Sequence, residues 1–183
     1  MSSSPWIASF GRFTIAVIGT FVILLLKEKV RWEVLSRNLL PFIVLGVIGV
    51  AGFNGSLFVG LQSSSPITAS LIMATTPISA NIIEATINRK IPATDRIVGM
   101  IVSPLGVSLV ITNGQILSGR IDFASGDLII LGGSIGWAAY TVGARAFVTD
   151  STPLETTTGT MLFGTLTLGL AGLPSHSNLR SRG

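Results

Sequence analysis

Twenty residues from Ile7 to Leu26 carry a single charge, Arg12, and five further apolar stretches follow, each bounded by Pro, polar or charged residues. At about 1.5 Å of rise per residue, a helix of that length covers roughly the 30 Å of bilayer hydrocarbon. Lipid offers no water to a backbone N–H or C=O, so every stretch must satisfy those groups within itself; strand-type alternation is absent, which leaves helices. The chain therefore reads as all-α, a polytopic transmembrane bundle of about six membrane helices near 7–26, 39–61, 66–87, 97–112, 126–147 and 154–173. Composition agrees, with 48% hydrophobic and 11% charged residues, a mean hydropathy of +0.71, and 21 glycines suited to close packing in lipid.

A formal charge of +4 and a pI near 10.4 do not point to nucleic acid, because the basic residues lie in short loops and not in a stripe with aromatics. Zero cysteines remove disulfides and thiol chemistry, and the single His176 sits in a polar tail where it reads as solvated. No nucleophile–base–acid or metal-ligand cluster is visible, so neither an enzyme nor a cofactor nor a metal is expected. No basic segment precedes Ile7 and the apolar run exceeds that of a signal peptide, so the first span is expected to stay in the membrane. Pro41, Pro66 and Pro153 fall at first-turn positions, where a missing N–H costs nothing. The fourth span rises only about 24 Å as written and is expected to begin earlier, near Asp95. Thr156, Thr157, Thr158, Thr160, Thr165 and Thr167 lower the hydropathy of the sixth.

Lys27, Lys29, Arg31 and Arg37 follow span one, Arg89, Lys90 and Arg96 follow span three, and Arg145 closes span five; these define the cytoplasmic side. The opposite loops hold only Arg120. Arg180 and Arg182 in the tail run against this rule, unless the natural chain continues into further spans or span six fails to insert. The localisation read from this pattern is an integral, multi-pass protein of the cell (inner) membrane.

An internal echo accompanies the spans. Ser4-Pro5, Gly11 and an apolar helix recur as Thr152-Pro153, Gly159 and an apolar helix, offset by 148 residues. Two units of that period need about 300 residues, and an odd number of spans per unit inverts one copy relative to the other. The residues resemble a known family at this point. Pro5 with Ser9-Phe10-Gly11-Arg12-Phe13 and Ala16 is similar to the second helix of the drug/metabolite transporter superfamily, in its EamA-domain branch. Ala69-Ser70-Leu71-Ile72 with Thr76-Pro77-Ile78 is similar to the fourth helix, and Arg96 and Gly99 leading to Gly106-Val107 to the fifth. Gly126-Asp127 through Gly136-Trp137-Ala138-Ala139-Tyr140 and Arg145 resembles the opening of the second repeat. Asn88-Arg89-Lys90 departs from the family's usual turn by placing Arg89 where a Glu falls.

The resemblance implies a ten-helix inverted-repeat secondary transporter of a small metabolite or drug-like solute, of which this chain carries helices two through seven. On that reading residues 1–113 are most of the first repeat without its first helix, 114–125 an external loop, 126–173 the first two helices of the second repeat and 174–183 a polar tail. The partners are then a small-molecule solute, the bilayer, and either a second copy or the remainder of the transporter. The alternative from another class is a non-transporting membrane scaffold or truncated gene product.

Among single residues, Arg12 costs about 2.5–3.5 kcal/mol inside an apolar span unless paired or near water, so it either draws an anionic solute or snorkels to the interface. Thr76, Pro77, Asn81 and Glu84 lie along span three, where Pro77 frees the carbonyl of Met73 for another helix, a water or a solute. Glu84, the only acid well inside an apolar run, is the proton-coupling candidate; its plain reading is an interfacial partner of Arg89 or Lys90. Asn54 is either a solute contact or interhelical glue beside Gly46, Gly49, Gly52 and Gly55, and Trp137 and Tyr140 share a face as either an aromatic wall or bundle packing. Pro104 is expected to kink span four. In intact cells, cysteines substituted at Ser64 and Arg120 are expected to react with an impermeant maleimide, and those at Lys29 and Lys90 only after permeabilisation; the reverse pattern rejects this orientation.

Overall fold

The computed structural model describes residues 5–28, 30–89, 92–111 and 124–180, apart from the side chains of 5–9, 103, 107, 110–111 and 173–180. Lys29, Lys90, Arg120, Arg182, nearly all of the 114–125 loop and the side chains of His176 and Arg180 lie outside the described residues. Among the described residues the regular structure is all helical: α1 Pro5–Lys27, α2 Trp32–Arg37, α3 Leu39–Leu45, a π segment Gly46–Gly52, α4 Phe53–Gly60, α5 Pro66–Ala74, α6 Thr76–Asn88, α7 Thr94–Ile111, α8 Ser125–Ala146 and α9 Pro153–Arg180. Four stretches are long and apolar enough to cross a bilayer: Phe10–Lys27, Leu39–Gly60, Pro66–Asn88 and Ser125–Ala146. The threonine-rich α9 is not among these four; it opens at Pro153 as expected but continues past 173 to Arg180. Helix α7 starts at Thr94, beside the Asp95 expected from the span's length, and runs through Pro104 as one element.

Two stretches differ from the regular helices their hydropathy implies. The second span widens into a π segment at Gly46–Gly52, where Gly46, Gly49, Val50 and Ala51 are buried. The third is broken at Thr75 between α5 and α6, because Pro77 cannot continue the N–H ladder. The carbonyl of Met73 is not left for a distant partner, as the sequence implied: the Thr76 hydroxyl donates to it at 2.6 Å. A neighbouring side chain thus closes the gap that proline opens.

The chain forms two compact units, residues 1–55 with 143–183 and residues 56–142. In the first, α9 packs against α1, α3 and the π segment. The approach is set by small residues. A β-carbon on Gly46 would collide with the Thr160 carbonyl and come within 3.0 Å of the Gly164 amide nitrogen, and one on Gly164 would strike Val50 and lie 2.9 Å from the Gly46 carbonyl. Gly159 meets the Phe42 ring and Gly169 the Phe10 ring in the same way. In the second unit, Gly60 and Gly126 make a comparable backbone approach beside Ile130, and α5 packs on α7.

One end of the first unit is held by polar groups. The buried Glu155 accepts from Arg31 Nε at 3.1 Å and Nη2 at 2.6 Å, and from the Thr152 amide at 2.9 Å, while Thr152 Oγ1 accepts the Glu155 amide at 3.1 Å. This reciprocal cap of Thr152 and Glu155 starts α9. The contact with Glu155 raises the pKa of Arg31, outside the spans, above its ordinary value. Asn38, also buried, both donates to and accepts from the backbone of Thr149, and Arg37 pairs with Asp150 at 3.1 Å. The loop after α1 and the linker before α9 therefore meet.

Gly46→Ala should lower the SDS- or heat-unfolding midpoint by the equivalent of about 1–3 kcal/mol, because backbone atoms would have to move apart. Gly19→Ala, where a β-carbon meets nothing within 4 Å, should be neutral or slightly stabilising through helix propensity. Equal effects at the two sites would remove the close-approach argument.

Candidate functional site

Arg12 lies on α1, about two turns inside a helix with no other charge before Lys27. Its guanidinium donates to Asn54 Oδ1 at 3.3 Å and sits 5.3 Å from the Phe13 ring centroid. Asn54, buried at the start of α4 just beyond the π segment, donates its amide nitrogen to the Val50 carbonyl at 2.7 Å. A guanidinium can only donate, so the amide must turn its oxygen to Arg12 and its nitrogen to its own helix. Two candidates chosen separately from sequence thus form one contact within the first unit.

The second unit holds the remaining candidates. Thr76 Oγ1 lies 2.7 Å from Ser134 Oγ on α8. Because the Thr76 proton already serves the Met73 carbonyl, Ser134 is the donor of this pair. Pro77 is exposed, and its carbonyl accepts from Asn81 Nδ2 at 2.8 Å. Asn81 and Glu84 face a cavity of about 520 Å³ that is also lined by Ala85, Asn88, Pro92, Ala93 and Arg96. The described partner of Glu84 is Arg96, at 3.9 Å, and not Arg89. Arg89 instead ends α6 in the left-handed conformation, φ 50°, and the chain returns with Pro92, Ala93 and Arg96 against the last turns of α6. Trp137 and Tyr140 are in contact on α8, ring centroids 5.1 Å apart and inclined by 34°.

Sequence reasoning passed over several residues. Ser134 is fully buried, yet a serine between glycines and isoleucine in an apolar run gives no periodic signal. Asp127 is buried at the start of α8, where it accepts from the Ser64 hydroxyl and, at 2.7 Å, from the Ala124 amide. Glu155 was legible in principle, since Thr152 followed three residues later by Glu155 is a capping pattern. The hydroxyls of Thr158 and Thr165, two turns apart on α9, are buried without a hydrogen-bond partner among the described residues.

Truncating Arg12 or Asn54 to Ala should each weaken resistance to SDS unfolding, and the double variant should lose less than the sum. A coupling of about 1 kcal/mol is expected for an interhelical polar pair in a membrane protein. Strict additivity would mean the contact contributes nothing.

Residues 2–112 match the EamA-like transporter family. The chain is 38% identical over 173 residues to the uncharacterized transporter YyaM of Bacillus subtilis, covering 94% of this chain and 55% of the relative. It is 30% identical to the uncharacterized transporter YrdR of the same organism, over 91% of this chain and 53% of that protein. An uncharacterized transporter of Archaeoglobus fulgidus is 26% identical over 90% of this chain and 56% of its own length. The chain thus spans about half the length of the curated relatives it matches. No solved structure matches.

Proposed function

The chain belongs to the EamA-like transporter family, and on that premise we propose that it serves a multi-pass transporter of the cell membrane, one that moves a small metabolite or drug-like solute by alternating access. It is a transporter component and not an enzyme. The observation that carries this reading is the Arg12–Asn54 contact: a guanidinium inside an apolar helix, whose hydrogen bond among the described residues is to a neutral amide oxygen at 3.3 Å. An intramembrane charge held by one neutral partner can exchange it for the anionic group of a solute. Thr76, Pro77, Asn81, Trp137 and Tyr140 supply the remaining contacts of the pathway, and Glu84 is its coupling group. In the full architecture ten helices form two inverted repeats, with residues 1–113 in the first and 126–173 in the second. The helices α1 and α9, which open alike at Pro5 and Pro153, are the corresponding members of the two repeats and pack on each other.

Alternating access requires two repeats to rock against each other. The 183-residue chain reconstituted alone in liposomes is therefore expected to give no saturable uptake as a monomer; a functional homodimer would mean that two copies supply both halves of the cavity, and saturable monomeric uptake would reject the two-repeat reading. Absence of transport from every assembly containing the chain would favour the scaffold alternative. In a transporting assembly, Arg12→Ala is expected to abolish uptake with insertion and abundance unchanged, whereas Arg12→Lys keeps part of it through the retained charge. Near-normal uptake by Arg12→Ala would remove Arg12 from the pathway.

A further inference from the structure

Helix α9 lies along α1 in the opposite sense: its first turn meets Arg31, in the segment after α1, and Gly169 seats the ring of Phe10 near the start of α1. Residues Phe10–Lys27 of α1 are long and apolar enough to cross a bilayer, so α9 occupies the same slab, although it is not one of the four stretches that qualify on their own. The two sides of α9 explain how. Toward its neighbours it buries Thr158, Thr160 and Thr165, with Gly159 and Gly164 among them and Leu168 beyond, whereas Leu162, Leu166 and Leu170 are exposed. Its polarity is on the face that other helices cover, and its leucines are on the face left to lipid. Alone in hydrocarbon the polar face would be uncovered; against α1, α3 and the π segment it becomes the small-residue surface on which helices pack in lipid.

We infer that α9 does not enter the membrane on its own hydropathy but is docked into it by α1 and α3, and that a clasp of polar groups holds its start on the side of the α1–α2 segment. The clasp joins residues 28–38 to residues 149–155. Arg31 donates twice to Glu155 and, at 2.9 Å, to the Asp150 carbonyl; the Thr152 hydroxyl donates to Glu28 at 2.6 Å; and Asn38 exchanges two hydrogen bonds with the backbone of Thr149. Glu155 is the member most costly to strand, because a buried carboxylate deprived of its guanidinium is driven toward water and takes the first turn of α9 with it. The clasp also acts against the sequence beyond the helix. Arg180 and Arg182 at the far end favour the side of Lys27 and Arg37 under the positive-inside rule, so only docking keeps the two ends of α9 on opposite sides. None of this depends on transport. Hydropathy and docking give opposite forecasts for the same substitutions, and sidedness separates them.

The chain has no cysteine, so single cysteines report sides directly. In cells expressing the 183-residue protein, Ser36→Cys marks the α1–α2 segment and a cysteine appended after Gly183 marks the far end of α9, each treated with an impermeant maleimide before and after permeabilisation. The two should label from opposite sides. Arg31→Met should move the appended cysteine to the side of Ser36→Cys in most molecules, and Arg31→Met with Glu155→Gln should return it, because glutamine keeps the cap without the charge. Arg31 is still missing from that double variant, so a count of basic residues forecasts no return. Gly164→Leu makes α9 more apolar but drives a side chain into Val50 and the Gly46 carbonyl, and it should also move the appended cysteine; Leu166→Ala makes α9 less apolar on its exposed side and should leave it in place. Insertion that improves with Gly164→Leu and fails with Leu166→Ala would mean that hydropathy governs, and overturns the proposal. So does labelling of both cysteines from one side in the otherwise unaltered chain, or an Arg31→Met variant with unchanged sidedness. If Arg31→Met is degraded before it can be labelled, the double variant must restore both abundance and sidedness, and its failure to do so is equally an overturning result.

Discussion

In lipid, the hydrophobic effect does not press one helix on another, so an interface has to be made from close contact and polar pairing. The Gly46–Gly164 approach is the point in the first unit on which the other contacts rest. With backbone atoms of the π segment and α9 near touching, Phe42 can lie on Gly159 and Val50 on Gly164. Widening the helix at Gly46–Gly52 into π geometry changes the register beyond it. The first residues of α4 follow directly from that change, and with them Asn54, which turns its oxygen to Arg12. Packing of small residues and placement of the one amide that meets a membrane-embedded charge are therefore the same structural decision.

Acids at helix starts organise the ends. Asp127 and Glu155 both occupy the third position of their helices, both are buried, and both return to the backbone amide that precedes the helix. Each also takes a partner from a distant stretch of the same unit: Asp127 the Ser64 hydroxyl, and Glu155 the Arg31 guanidinium. A carboxylate in that position satisfies otherwise orphaned N–H groups and is favoured by the helix dipole, so it is held locally before any tertiary contact forms. The tertiary partner then fixes which segment docks at the helix start. This is how α8 and α9 acquire neighbours at their ends, where apolar packing gives way to the interface.

The hydropathy pattern made the helices and their approximate limits legible, because burial in lipid leaves few alternatives to a continuous helix. Pro66 and Pro153 marked starts correctly for the same reason. The pattern could not show where a helix changes its winding, since the glycines of 46–52 are compatible with α and π geometry alike. Nor could it show that the carbonyl freed by Pro77 would be taken up by Thr76, a residue only three positions from it. Of the candidate residues, Arg12 and Asn54 were each recognisable as polar groups in apolar runs, but their contact depends on an interhelical register that one sequence does not contain. For Glu84 the sequence offered proton coupling or pairing with Arg89 or Lys90; its described partner is Arg96, which the turn at Arg89 brings to it, and Lys90 lies outside the described residues.

Polar groups in the helices divide into two kinds by how they are satisfied. Thr14, Thr20, Thr141, Thr160 and Thr167 bond to carbonyls of their own helices, and such bonds persist however the helices move against each other. Other pairs, among them Arg12 with Asn54, Thr76 with Ser134, and Glu84 with Arg96, join two elements and are lost when those elements separate. In water the loss would be nearly neutral, since solvent replaces the partner; away from water the freed group must find another donor or acceptor. In the transporter proposed above, a solute with the complementary group would lower the cost of separating them and one without it would not, so that selectivity and motion would be linked at these residues.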